Sequence, residues 1–199
     1  MPLREVSVTI TNKTLVQTYI AKSYPMRDGN NDGYADKYEI PIYKVVIEGR
    51  NAAGLHIKKE WPALRFMPFW NDPKNPDKRY KTRGYVDSGK VSFSRQAIKA
   101  YLPNYEIHNT YSQYGGAIQI EGNFLIHAGP DNLANTGWGG AGCVEIIGSF
   151  DKFRRDIMDL AGTTNSDITL AMTQIINYRK LFLEIENCAA PKLKKVGEF

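Results

Sequence analysis

The sequence predicts a single, mainly β domain, built as a mixed sheet, a sandwich or a barrel-like arrangement with two or three helices packed on it. Three observations support this fold class. β-branched and aromatic residues concentrate in the first half of the chain, and helical periodicity is clearest after residue 148. A chain of 199 residues, of which 42% are hydrophobic, is also long enough to bury one sizeable core.

Four segments in the first half predict strands. They share β-branched and aromatic residues bounded by Asn, Gly, Asp or Pro, which is typical of strands between turns. These segments are 3–11, 15–24, 40–48 and 64–69. The polar stretch 71–89, which contains Pro73 and Pro76, predicts a long loop or flap.

The second half carries the helices and a catalytic-like core at about 94–186. Segment 94–102 has its apolar residues at roughly helical spacing, with a strand as the alternative. Segment 115–128 predicts two strands joined by a tight turn at 121–123. The remaining elements follow in order: a helix capped by Ser149 and Gly162, a weaker helix over 167–179, a closing strand at 181–186, and a solvated Lys-rich tail at 192–195.

Composition limits the classes of function. The net charge of +5 comes from 26 basic and 21 acidic residues that mostly alternate, which argues against nucleic acid as the partner and is compatible with an anionic polymer such as a cell wall. No apolar run approaches the roughly 20 residues that span a bilayer. No secretory leader is visible, so we expect a cytoplasmic protein, export by a leaderless route to the periplasm or cell wall, or a leader outside this sequence. The two cysteines, Cys143 and Cys188, make no disulfide framework, and Cys188 has no base or glycine cradle near it in sequence.

The densest chemical signal runs from the predicted strand 124–128 to a glycine-rich loop that ends at Cys143. A thiol nucleophile needs a base within hydrogen-bond reach, because the thiolate is the reactive species and a free cysteine has a pKa of about 8.5. His127, at the end of the strand, is the candidate base. The N–H groups of Gly142 and Cys143 are candidate oxyanion donors, and the small residues at 139–142 would let the main chain approach a substrate.

Each of these residues also has an ordinary structural alternative. Cys143 precedes an apolar segment and could be a small core residue, and His127 could be a hydrogen-bonded structural group. Trp138 would either form one wall of a substrate groove or pin its loop by packing. His108 would orient His127, contact substrate or be an ordinary surface residue. The three histidines show no recognisable zinc spacing, and His56 receives no role.

At these residues the chain resembles the L,D-transpeptidase catalytic domain family, also called YkuD-like, in which a strand-borne His precedes a Gly-Cys nucleophile. The matching positions are His127, Gly142, Cys143 and the apolar Val144, and the resemblance covers about 115–148. It implies the β-rich fold of that family, a thioester acyl-enzyme and peptidoglycan stem peptides as the substrate class. It also implies that the chemistry requires no cofactor.

The chain departs from the family pattern at three positions. Gly140 and Ala141 stand where the family has Ser or Thr and a second His, and Glu145 stands where it usually has Arg. An acidic residue beside the nucleophile would repel carboxylates that an Arg would hold, and it would stabilise a thiolate less well. The departures imply a divergent member, or a hydrolase rather than a transferase. Together with Trp138 and His108, these three residues are candidates for lining the substrate groove.

A second motif, at 28–39, matches the loop pattern of an EF-hand. Its oxygen donors have the spacing of a calcium loop and are Asp28, Asn30, Asp32, Asp36 and Glu39. The flanking segments predict strands rather than helices. The alternatives are therefore a structural Ca²⁺ held by a β-loop and an ordinary Asn/Asp/Gly hairpin loop without metal.

The leading hypothesis is a bacterial cysteine-dependent enzyme that acts on peptidoglycan as a transpeptidase or an L,D-carboxypeptidase. Cys143 would attack a carbonyl, His127 would act as base and then as acid, and an amine or water would resolve the thioester. Delivery into a rival's periplasm as an antibacterial effector would reconcile this substrate with the absence of a leader. One alternative is an inactive module on the same scaffold that binds cell-wall glycan or a protein partner through Trp138 and neighbouring tyrosines. Another is an effector whose domain acts on a different target.

Overall fold

The structure is a computed structural model that describes residues 2–24, 36–69, 81–84, 92–106 and 112–199. Within these residues the chain forms twelve strands and two helices. In chain order they are β1 (Val6–Lys22), β2 (Asp36–Arg50), β3 (His56–Leu64), β4 (Phe66–Phe69), β5 (Lys81–Gly84), β6 (Phe93–Ala97), β7 (Tyr101–Leu102), β8 (Ala117–Glu121), β9 (Phe124–Ala128), β10 (Val144–Ile146), α1 (Phe150–Ala161), α2 (Ile168–Asn177), β11 (Leu181–Ile185) and β12 (Lys194–Glu198).

Ten of these strands form one mixed sheet in the order β6-β11-β1-β2-β3-β10-β9-β8-β7, with β12 added beside β2. The pairs β1–β11 and β9–β10 are parallel. β6 and β7 stand at opposite ends of this order, yet only 98–100 separate them along the chain. The N–H of Ile98 donates to Leu181 O and the N–H of Gln119 donates to Ala100 O, so the sheet curls until its two ends meet. The predicted mainly β class with a mixed sheet and helices is confirmed.

Local signals located the hairpin and both helices correctly. β8 and β9 flank the predicted turn, and Ser149 caps α1 by accepting the N–H of Lys152 at 3.3 Å. Gly162 ends α1 in the left-handed region at φ 71°, and the Asp167 side chain caps α2. Among the described residues, neither helix has the length and apolar character needed to cross a membrane.

The core lies between one face of the sheet and the two helices. α1 presents an apolar side to the sheet, where the rings of Phe150 and Phe153 stack at 5.7 Å and both side chains are fully buried. Ile126 of β9 and Ile146 of β10 belong to the same cluster. Because side chains alternate along a strand, the neighbours of these two isoleucines must face the opposite side of the sheet.

Strand boundaries in the first half differ from the prediction. Segments 3–11 and 15–24 merge into the single strand β1, whose register with β2 shifts on either side of Thr14. Segment 64–69 is divided at Arg65 between β3 and β4. The guanidinium of Arg65 is buried and donates to Thr11 O at 2.8 Å and to Glu186 O at 3.1 Å, which ties the break in the strand to two distant segments.

Three further predictions need correction. Segment 94–102 is not helical, because β6 and β7 pair with β11 and β8. Within the predicted loop 71–89, Lys81–Gly84 is a strand paired with β4, and the rest of that loop lies outside the described residues. The lysines of the tail are exposed, as expected, but the tail is not a loose end, because Lys194–Glu198 pairs with β2. In each case the strand pairs with a partner outside the segment itself.

Lysines of β12 pair with Asp36 and Glu39, the two residues of the calcium-like motif that the structure describes. Asp36 is 2% exposed and forms an ion pair with Lys195 at 2.6 Å, while Glu39 pairs with Lys194 at 2.6 Å. Three positions apart on one strand, Asp36 and Glu39 point to opposite faces of the sheet and do not converge on one ion. Asp28, Asn30 and Asp32 lie outside the described residues, so the calcium site stays a prediction.

We expect Lys195→Met to lower the free energy of unfolding by about 2 kcal/mol, because it leaves the buried Asp36 carboxylate without its ammonium partner. Lys194→Met is the matched control on the same strand, since it removes an ion pair from a lysine side chain that is 72% exposed. Its effect should be clearly smaller. Urea unfolding of both variants measures the difference, and equal losses would contradict the structural role assigned to Asp36.

Candidate active site

The site is built on the parallel pair β9–β10. Its register sets Val144 beside Ile126, Glu145 beside His127 and Ile146 beside Ala128. Val144, Ile126, Ile146 and Ala128 all belong to the core beneath the helices. His127 and Glu145 therefore lie next to each other on the opposite face of the sheet.

Cys143 comes directly before β10 and reaches the same face. Its side chain is half-buried, its Sγ donates to Asn123 O at 3.7 Å, and the backbone N–H of Leu125 donates to the sulfur. Leu125 and His127 are two positions apart on β9, so their side chains lie on the same face. Cys143 and Glu145 are likewise two positions apart, on the neighbouring segment. The structure thus brings both predicted catalytic residues onto one face of two neighbouring strands.

The surroundings of His127 select one tautomer of its ring. The side chain is 5% exposed, and Nδ1 lies 2.8 Å from Ala128 O. Because a carbonyl oxygen only accepts, this hydrogen bond requires the proton on Nδ1. The neutral imidazole then has its lone pair on Nε2, as a general base needs.

Tyr105 lies beside His127 and close enough to Cys143 to be affected by its charge. Its ring centroid is 5.4 Å from that of His127. Burial raises the pKa of Tyr105, and the charges of Cys143 and Glu145 raise it further, so the phenol remains a hydrogen-bond donor at neutral pH. Sequence reasoning missed Tyr105, since it stands in no motif and reaches His127 through the hydrogen bond from the N–H of Gly116 to Tyr105 O, next to the β8–β9 pair.

Tyr19, on β1, holds the loop that leads to Cys143. Its hydroxyl donates to Asn135 O at 2.6 Å and accepts the N–H of Gly137. Burial raises the pKa of Tyr19, and the nearby charge of Glu145 adds to this effect. The phenol is fully buried, so this anchor is shielded from water.

The thiol of Cys143 is protonated at neutral pH. Burial is the main cause that raises its pKa, and the charge of Glu145 acts in the same direction. The hydrogen bond from Leu125 opposes both and does not outweigh them. The proton of the thiol must therefore be removed during attack rather than beforehand.

The glycines before Cys143 are required by packing inside the protein. A Cβ at Gly139 would lie 2.4 Å from Phe66 O, and one at Gly140 would lie 2.4 Å from Cys143 O. Gly142 has a φ of +105° and packs against the ring of Phe124. Packing thus explains the glycines by itself, and the approach of substrate to the main chain stays a prediction. Ala141 is exposed. The N–H groups of Gly142 and Cys143 remain candidate oxyanion donors.

Trp138 belongs to a small aromatic cluster beside this loop. Its ring is edge-on to Tyr24 at 5.6 Å, and Tyr24 stacks on Phe69 at 5.9 Å. These contacts favour the packing alternative for Trp138. Tyr24 itself is 44% exposed, so the cluster also presents an aromatic surface.

The other candidates lie elsewhere. His108 is outside the described residues. His56 pairs with Glu48 at 3.6 Å at the far end of β3, and Cys188 is buried against Tyr43 and Phe66. Across the part of the chain that the structure describes, no group of three or more His, Cys, Asp or Glu side chains could hold a metal ion.

Comparison with known proteins adds no assignment. A scan against protein-family models, a search of curated proteins and a search of solved structures each found no match.

Proposed function

We propose that the protein is a cysteine-dependent enzyme of the L,D-transpeptidase type that acts on the stem peptides of bacterial peptidoglycan through a thioester. The observation that carries the proposal is the parallel register of β9 and β10. It sets Glu145, two positions after Cys143, beside His127, and the hydrogen bond of His127 to Ala128 O leaves the lone pair of the neutral ring on Nε2. A half-buried thiol and a base of the right tautomer, on neighbouring strands, are the two parts that thiol acyl transfer needs.

The reaction follows from these two groups. Nε2 of His127 takes the thiol proton as Sγ attacks the peptide carbonyl, and the N–H groups of Gly142 and Cys143 would receive the negative charge on the oxygen. His127 then gives its proton to the leaving amine as the C–N bond breaks. Water or a second amine attacks the thioester and returns a proton through His127 to the sulfur. Hydrolysis and transfer differ only in this acceptor.

The substrate class and cellular setting come from the resemblance at His127, Gly142, Cys143 and Val144. The same resemblance is the basis for proposing an L,D-transpeptidase-like fold and action at the bacterial cell wall. The net charge of +5 supports attraction to an anionic polymer. Delivery into another cell's periplasm as an antibacterial effector belongs to the same proposal.

We expect wild-type protein to change the muropeptide profile of purified sacculi, and Cys143→Ala to leave it unchanged. Mass spectrometry would show shortened stem peptides for a hydrolase or new cross-links for a transferase. Cys188→Ala is the matched control, because it also removes a thiol and should behave as wild type. Identical profiles for folded wild type and Cys143→Ala would remove the proposed function.

A second candidate function is a binding module for cell-wall glycan, and the cluster of Tyr24, Phe69 and Trp138 favours it. Aromatic faces offer apolar contact area with a polar edge, and one of these rings is exposed. The same sacculi separate the two candidates. Sacculi that retain both wild type and Cys143→Ala without any change in muropeptides would support the binding module.

A further inference from the structure

We infer that Glu145 is a positioning residue that balances the positive charge of His127 when the imidazole takes the thiol proton. The inference rests on the proposed function and assigns Glu145 to the catalytic machinery rather than to the lining of a groove. It concerns the position at which the resembled family usually has Arg.

The first support is the position of the two side chains. Glu145 stands directly opposite His127 on the neighbouring parallel strand, and such strands lie about 4.8 Å apart. Both residues are buried, at 4% and 5% exposure. On the other side of His127 the paired residue of β8 is Ala117, and on the other side of Glu145 the paired residue of β3 is Leu64. The carboxylate is thus the charged group that the register sets beside the imidazole.

The second support is the protonation state of the nucleophile. Since burial keeps Cys143 protonated, positive charge appears on His127 only as the thiol attacks. An imidazolium formed away from water is costly unless an opposite charge lies close to it. Glu145 supplies this charge from a fixed position, so it stabilises the charged state rather than the resting one.

The third support is the field around the carboxylate. Within the described residues, the charge of Glu145 acts on Tyr19 of β1, on Tyr105 before β8 and on Cys143. The charge of Glu145 raises the pKa of all three, in addition to the effect of burial. Each of these three groups is therefore neutral at pH 7, so among them and Glu145 the acidic charge belongs to the carboxylate.

The charge of Glu145 has opposite effects on the ionised forms of the two catalytic groups. Its charge disfavours the Cys143 thiolate and favours the His127 imidazolium. Glu145→Gln should therefore lower the pKa of His127 by about one unit and also lower the pKa of the Cys143 thiol. Turnover should fall although the thiol becomes easier to ionise.

The experiment compares wild type with Glu145→Gln. With sacculi as substrate we expect kcat/KM at pH 7 to fall by up to about tenfold, with the acidic limb of the pH profile moved to lower pH. With iodoacetamide as the probe we expect Cys143 to be alkylated faster between pH 7 and 9. A merely structural role would not move these two rates in opposite directions. Glu145→Asp, which keeps the charge, should restore most of the acidic limb.

Glu60→Gln is the matched control, because Glu60 is an exposed acid on β3 that pairs with Lys44. The imidazole C–H signals in NMR give the pKa of His127 without any substrate. An unchanged pKa of His127 in Glu145→Gln, with turnover by wild type present, would overturn this inference alone. No turnover by wild type would instead remove the proposed function.

Discussion

Replacement of His127 by Gln is expected to lower kcat/KM for muropeptides by about 10²- to 10⁴-fold, the range associated with loss of a general acid–base group. Glutamine is close to histidine in size, and its amide can still donate to Ala128 O, so the buried position remains filled and hydrogen-bonded. It has no nitrogen that can take the proton of Cys143. Because the thiol is protonated at neutral pH, no reserve of thiolate compensates for the missing base.

His56→Gln provides the control for this substitution. His56 is exposed, stands at the opposite end of β3 and pairs with Glu48, so its replacement should leave both stability and turnover unchanged. Initial rates on purified muropeptides and thermal unfolding of the two variants check the prediction. A folded His127→Gln variant with the activity of wild type would exclude His127 as the base.

We expect Gly139→Ala to cost about 2–5 kcal/mol of unfolding free energy and to reduce turnover as well. Gly139 has a φ of +89°, in the left-handed region that L-residues avoid. Its Cβ would also lie 2.4 Å from Phe66 O and 3.0 Å from Ile40 Cδ1. The backbone of β4 cannot yield as a flexible side chain would, so the loop that carries Cys143 must move.

Gly54→Ala separates backbone strain from collision. Gly54 has a similar φ of +79°, but nothing lies within 4 Å of its Cβ position. This variant should lose only about 1–2 kcal/mol, and its turnover should not change. Urea unfolding and muropeptide assays of both variants measure the contrast. Equal stability losses would mean that the close approach of Gly139 to Phe66 does not constrain the loop.

The features that sequence predicted well are those encoded by neighbouring residues. The turn between β8 and β9 follows from glycine and asparagine at 122–123, and the ends of α1 follow from Ser149 and Gly162. The catalytic pair could be suggested for the same reason, because a strand-borne His and a Gly-Cys segment are local patterns. Their placement on one face depends on the parallel register of β9 and β10, which no local signal specifies.

The features that sequence missed depend on distant partners. β12 is stabilised by lysines that meet Asp36 and Glu39, more than 150 positions away. The break at Arg65 depends on carbonyl groups of Thr11 and Glu186. Tyr105 reaches the candidate active site because β7 pairs with β8 and β8 pairs with β9. In all three cases the contact stabilises a structure whose local sequence is equally compatible with a loop, a tail or a longer strand.

The pairing of β1 with β11 has a consequence for how the chain acquires its structure. Val6 lies beside Leu181, so the inner part of the sheet joins two segments that are far apart in sequence. One edge of β1 stays without its parallel neighbour while the ribosome produces everything between them. Contacts of such long range are associated with slow folding and with strand edges that are exposed to association, so β1 keeps an unpaired edge until β11 has been synthesised.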